Sequence, residues 1–102
     1  MQKYVKIYLE AFGHDIGDQT SFVPSEISED RSQDIHHLIG RGKGGEDRIE
    51  NLMAVTRQEH ISYGDKKDYM VMLFKIHRKR LILANIEFDE DWFQEKIRFY
   101  ED

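Results

Sequence analysis

Two adjacent histidines, His36 and His37, an asparagine at position 51 and a further histidine at position 60 are the side chains whose types and spacing can do chemistry. They lie in the runs Asp34-Ile35-His36-His37-Leu38-Ile39, Glu50-Asn51-Leu52 and Arg57-Gln58-Glu59-His60, with the turn Gly40-Arg41-Gly42-Lys43-Gly44-Gly45 after the first. An imidazole ligates a divalent cation through a neutral nitrogen, and with an ordinary pKa of about 6.5 it also takes a proton near neutrality. Neighbouring residues on a strand point to opposite sides. One of the pair can then ligate a metal while the other works from a different direction, and His60 on a following helix can close over the same point. Cysteine is absent. Any metal therefore has only His, Asp, Glu or Asn to hold it, and disulfides, iron–sulfur clusters, thiolate zinc sites and a cysteine nucleophile are excluded.

These residues need a strand, a turn, a strand and a helix to present them. Asp34 to Ile39 reads as a short strand, Gly40 to Glu46 as a turn and Leu52 to Val55 as a second strand. Thr56 is the expected N-cap of a helix, with Glu59 three residues on completing a capping box. Upstream, Val5, Ile7, Leu9 and Ala11 alternate as in a strand, whereas Tyr4, Tyr8, Leu9 and Phe12 share a helical face ending at Gly13; a helix is expected. Gly13 to Ser32 contains the only proline and reads as a long irregular connection with a short extended piece near Ile27. A connection that long needs something to organise it. After a break at Gly64 a helix is predicted from about Asp65 to Ala84. It sets Tyr69, Met72, Leu73, Ile76 and Leu83 on one face and Lys67, Lys75, Arg78 and Lys79 on the other, with Arg80 in the apolar arc and His77 at the core edge. Asn85 interrupts it. Asp89-Glu90-Asp91 then opens a last helix whose apolar side is Trp92, Phe93, Ile97 and Tyr100, its acidic first turn suited to the helix dipole.

The ordered set of His-His, Arg-x-Lys-Gly-Gly, Glu-Asn-Leu and His resembles the HNH endonuclease family over roughly Asp34 to Gly64. The separations, 14 residues from His37 to Asn51 and 9 from Asn51 to His60, are similar to those of the family. The resemblance, to the small stand-alone type found in bacteria and phages, implies a ββα-metal fold and metal-dependent hydrolysis of DNA to 3′-hydroxyl and 5′-phosphate ends. It implies His36 and His60 as metal ligands, His37 as general base, and Asn51 as the residue that fixes the geometry of the site and so orients His37. One divalent ion is implied, magnesium, manganese, nickel, cobalt or zinc, and imidazole ligation favours the others over magnesium.

The chain departs from the family in two places. Many members carry two Cys-x-x-Cys knuckles for a structural zinc, and the equivalent places read Ser25-Glu26-Ile27-Ser28 and Thr56-Arg57-Gln58-Glu59. The zinc is expected to be lost, leaving packing to hold the loop. Some members have a third metal ligand one helical turn after the last histidine, where this chain has Gly64, which points to a two-ligand site. Asp34 can accept a hydrogen bond from a ligand histidine or be a strand-edge aspartate bound to water.

A chain of 102 residues suffices for one domain with a modest core, here a nuclease core at about 33–64 and a helical extension at about 65–102. No apolar run approaches a membrane span and no export signal is visible, so cytoplasmic residence is expected. The net charge of −5 argues against a nucleic-acid partner until it is divided along the chain: −4 over 1–30, 0 over 31–60, +4 over 61–86 and −5 over 87–102. A positive face survives this segregation. DNA contacts are expected from Arg41 and Lys43, whose alternative is a solvated loop, from Arg57, and from Lys75, Arg78 and Lys79, whose alternative is a solvated helix face. The expected class is α+β, a ββα-metal centre flanked by an N-terminal helix and two C-terminal helices. The competing function is a module that binds DNA or a metal without cutting. In either case the acidic, aromatic tail Glu87–Asp102 offers a surface to a protein partner or a second copy of the chain.

Overall fold

The computed structural model describes residues 1–15, 17 and 22–102 and arranges them as four helices and a two-stranded antiparallel sheet, an α+β architecture. In chain order the elements are α1 (Lys3–Ala11), β1 (Asp34–His37), β2 (Leu52–Val55), α2 (Arg57–Tyr63), α3 (Met70–Leu83) and α4 (Glu90–Glu101). Short 3-10 turns occupy Arg41–Lys43, Ile49–Asn51 and Lys67–Tyr69.

Every residue of β2 is buried, and its period of two divides the core. Met53 and Val55 join Leu38, Met70, Leu73, Phe74, Leu81, Phe93 and Ile97 on one side; Leu52 and Ala54 pack against Tyr8 of α1 on the other. The register pairs Asp34 with Val55, Ile35 with Ala54, His36 with Met53 and His37 with Leu52. Directly paired residues share a face, so His36 belongs to the side of α2 and α3 and His37 to the side of α1. β1 ends at His37, two residues short of the expected Ile39, because Ile39 leaves the ladder to bond the side chain of Asn51.

At Lys3–Phe12 the helical period prevails, since it alone puts Tyr8 against β2 and stacks it on Phe12 at 4.5 Å. The capping box of α2 forms with both of its hydrogen bonds. The apolar face expected for α3 is rotated in the structure. The buried residues are Met70, Leu73, Phe74, His77 and Leu81, whereas Met72 and Leu83 are exposed. Taking His77 as a polar edge residue shifts the phase of the helix; taking it as core restores the spacing i, i+3, i+4, i+7. Phe74 meets Trp92 and Phe93 of α4 edge-on, at 5.7 and 6.5 Å. Truncating a buried ring of this kind to alanine costs about 3–5 kcal/mol.

His77 is fully buried because its charge is answered. Its Nδ1 lies 2.7 Å from Glu26 Oε1, its Nε2 lies 2.6 Å from the carbonyl of Ile49, and Tyr8 Oη donates to Glu26 Oε2 at 2.6 Å. Arg80 donates to the Glu26 carbonyl at 2.9 Å, which accounts for a cation within the apolar arc. The network organises the expected irregular connection, of which residues 16 and 18–21 lie outside the described residues. At the knuckle positions Ser25 Oγ donates to Glu59 Oε1 at 2.5 Å and receives the backbone N–H groups of Ile27 and Ser28. Among the described residues no helix is long and apolar enough to cross a membrane.

Candidate functional site

His36 is 4% exposed, and its Nε2 is buried without a hydrogen-bond partner among the described residues. A buried nitrogen left in this state costs about 1–3 kcal/mol unless something occupies it. Burial first, and the neighbouring His60 second, push the pKa of His36 down to about 4. The ring is therefore neutral at physiological pH and keeps a lone pair for a ligand. His60 stands on the first turns of α2 with its ring centroid 4.5 Å from that of His36. Asp65, just past the end of α2, completes a group in which one donor atom from each of the three residues lies within 4.8 Å of the others.

The supports of this cluster are specific. Asp34 Oδ2 lies 3.1 Å from His60 Nδ1, which leaves His60 Nε2 as the free donor. The Arg57 guanidinium grips the same carboxylate through two hydrogen bonds of 2.9 and 3.0 Å, and this ion pair chiefly holds Asp34 below its ordinary pKa. Gly64 is required by contact: a Cβ there would lie 2.5 Å from the His60 carbonyl and 2.7 Å from its ring. The chain then enters the left-handed region at Asp65 (φ 58°), which brings the carboxylate in beside Gly40. Two imidazoles and a carboxylate, with a buried nitrogen awaiting a partner, fit a divalent first-row cation.

His37 lies on the other face of β1. Its Nε2 is 2.8 Å from Asp47 Oδ1, and its ring centroid is 4.6 Å from that of Tyr4 in α1. The hydrogen bond from His37, followed by that from Arg41, holds the Asp47 carboxyl below its ordinary range. An ionised carboxylate only accepts, so Nε2 is the donor in this hydrogen bond, and in the neutral ring that leaves Nδ1 as the acceptor. Arg41 bonds both oxygens of Asp47 at 3.3 Å and lies over the Tyr4 ring.

Asn51 is fully buried, and its side chain hydrogen-bonds to neither histidine. Its Oδ1 receives the N–H of Ile39 at 2.8 Å, and its Nδ2 donates to the carbonyls of Ile39 and Glu46, each at 3.0 Å. It thereby sutures the end of β1 to the glycine-rich turn. Gly45 makes that turn possible, since a Cβ there would fall 1.7 Å from the Ile39 carbonyl oxygen.

The cations expected to meet DNA divide into three groups. Arg57 is committed to Asp34 and Arg41 to Asp47. On α3, Arg78 pairs with Glu90 and Lys75 with Glu101 at 3.6 Å, and these two line with Lys79 a hollow against α4 that includes none of His36, His60 and Asp65. Lys43 has no carboxylate partner among the described residues and stays beside the turn.

Asp47, Asp65 and Tyr4 were not marked by sequence reasoning. Asp65 lies one residue beyond Gly64, where the third ligand of the family would fall, and the left-handed backbone at Asp65 brings it in. Asp47 carried a weak signal, an aspartate after a Gly-Gly pair and ahead of the second strand; Tyr4 carried none. No family model, no curated protein and no solved structure matches this chain.

Proposed function

We propose that this protein is a metal-dependent endonuclease of the HNH type, with β1, the glycine-rich turn, β2 and α2 as its ββα-metal centre. The observation that carries the reading is the buried Nε2 of His36, without a hydrogen-bond partner among the described residues, in a cluster with His60 and Asp65. His36, His60 and Asp65 are the residues that would hold the ion. A divalent cation bound there supplies positive charge to the scissile phosphodiester and to the oxygen that leaves.

The chain's own residues do the rest. His37 takes a proton from water at Nδ1 while the water oxygen bonds to phosphorus and the bond to the 3′ oxygen breaks. Asp47 fixes the tautomer and the tilt of the ring and is the better partner for the imidazolium that results. Tyr4 closes one face of that ring against solvent. Asp34 fixes His60, and Asn51 fixes the turn that carries Arg41, Lys43 and Asp47.

Plasmid cleavage by the full chain in magnesium, manganese, nickel or zinc, with an EDTA control, tests the reading. Cleavage abolished by EDTA and by His37→Ala is expected. A wild type that binds DNA but cuts it in none of these metals would favour the binding-module alternative.

A further inference from the structure

A groove leads away from the candidate metal centre. Two adjoining hollows of about 450 and 520 Å³ share Ile39, Lys43, Phe99 and Tyr100, and the first of them reaches Gly40 and Asp65. Lys67 and Arg98 complete the walls. Phe99 is 70% exposed, although its ring is mounted firmly: it stands edge-on to Tyr100 at 4.9 Å, and Tyr100 lies against Phe74 of the core at 5.9 Å. Lys43, Lys67 and Arg98 have no carboxylate partner among the described residues; on α3 Lys79 also has none, while Lys75 and Arg78 are paired, and Arg98 stands between this groove and the α3 hollow. Of the acids on the groove, Glu95 is taken by Lys96 at 3.1 Å, Asp65 belongs to the metal cluster, and Asp102 lies at the chain end.

An exposed aromatic ring among unpaired cations suits a polyanion that carries flat apolar faces. A duplex hides those faces in its stack, whereas a single strand offers them. We propose that this groove takes a single-stranded stretch of nucleic acid, with one base stacked on Phe99 and the neighbouring phosphates on Lys43, Lys67 and Arg98. As an account of substrate class it rests on the nuclease reading; as a binding site it stands on the groove alone. Its consequence is that the nucleic-acid path runs along α4 and the glycine-rich turn and not along the basic face of α3.

The test is fluorescence anisotropy of the full chain in EDTA, where nothing is cut, with labelled oligothymidylate, oligouridylate and a duplex of the same length, each of about 10 nucleotides. Single strands should bind more tightly than the duplex, and the stronger of the two identifies the sugar. Phe99→Ala should weaken single-strand binding roughly 5- to 100-fold, the loss of one base–aromatic stack, and Phe99→Tyr should retain it. Because Phe99 is exposed, the alanine variant is expected to fold. Replacing Lys43, Lys67 and Arg98 by glutamine should lower the slope of log K against log salt by about 2, at about 0.7 per phosphate on a single strand. Replacing Lys75, Arg78 and Lys79 should leave the slope unchanged. A duplex bound as tightly as the single strands, a Phe99→Ala variant that binds like wild type, or a dimer in sedimentation that this variant dissociates would overturn the proposal. The two readings fail separately: metal-dependent cleavage together with single-strand binding indifferent to Phe99→Ala removes the groove and keeps the nuclease, and Phe99-dependent binding without cleavage in any metal does the reverse.

Discussion

Nε2 of His37 lies 2.8 Å from Oδ1 of Asp47, on the face of the sheet opposite His36. On the proposed function Asp47 is a positioning residue for the base and lies outside the group of His36, His60 and Asp65. His37→Ala is expected to lower cleavage by about 10²–10⁴ with metal affinity unchanged. Asp47→Asn should lower kcat by a smaller factor and leave KM and metal affinity where they were. An Asp47→Asn enzyme with raised KM and unaltered kcat would assign this carboxylate to substrate binding.

The other face should respond in the opposite way. His36→Ala and His60→Ala remove direct donors, so calorimetric titration with manganese should show binding lost along with activity. Asp34→Ala removes the acceptor behind His60 and should weaken metal binding by about 10- to 100-fold, the range seen when the group behind a ligand histidine is lost. Asp65→Ala should also reduce affinity, and an unaffected titration would return the site to two ligands.

Local chemistry made much of the fold legible. Thr56 and Glu59 announced α2, Asp89 announced α4, and the two strands followed from short apolar runs around a glycine-dense turn. The ends of elements were less legible, because Ile39 is drawn off the ladder by a side chain 12 residues away. The face of α3 was misread because a buried histidine looks polar until its partner is known, and Glu26 is 51 positions distant. His36, His37, Asn51 and His60 were found as chemistry-bearing types at a telling spacing. Asp47 and Asp65 were missed, because their positions depend on how a turn folds back and on one left-handed residue.

The His77–Glu26 pair sets a pH dependence with a definite sign. Burial disfavours the imidazolium, but the adjacent Glu26 carboxylate and the Ile49 carbonyl outweigh it, and the pKa of His77 is raised. A folded value above the unfolded one of about 6.5 means that this stabilisation is complete below about pH 6.5 and is lost as pH rises through the folded value. Urea midpoints should accordingly fall from about pH 6 to pH 9. Glu26→Gln should abolish that contribution and cost about 3–5 kcal/mol, as breaking a buried pair does. A midpoint independent of pH in the wild type would contradict the assignment.

Chelation should not unfold the chain. The turns that could have carried zinc knuckles are held by Ser25 Oγ on Glu59 and by the Thr56–Glu59 capping box. Circular dichroism in EDTA is expected to retain its helical signal, with Ser25→Ala lowering stability by about 1–3 kcal/mol. Loss of the helical signal on chelation would reveal a structural metal that this hydrogen-bonded clasp was thought to replace.

Two imidazoles side by side on a strand of four residues leave the division of labour to alignment alone. A slip of β1 by one place would turn every side chain over, handing His37 to α2 and His36 to Tyr4 and Asp47. The grip of Asn51 on both backbone groups of Ile39 works as an index pin against that slip. On the proposed function it tells ligand from base by counting residues, without a hydrogen bond to either ring. Removing it would leave both imidazoles of β1 in the chain and erase the distinction between them.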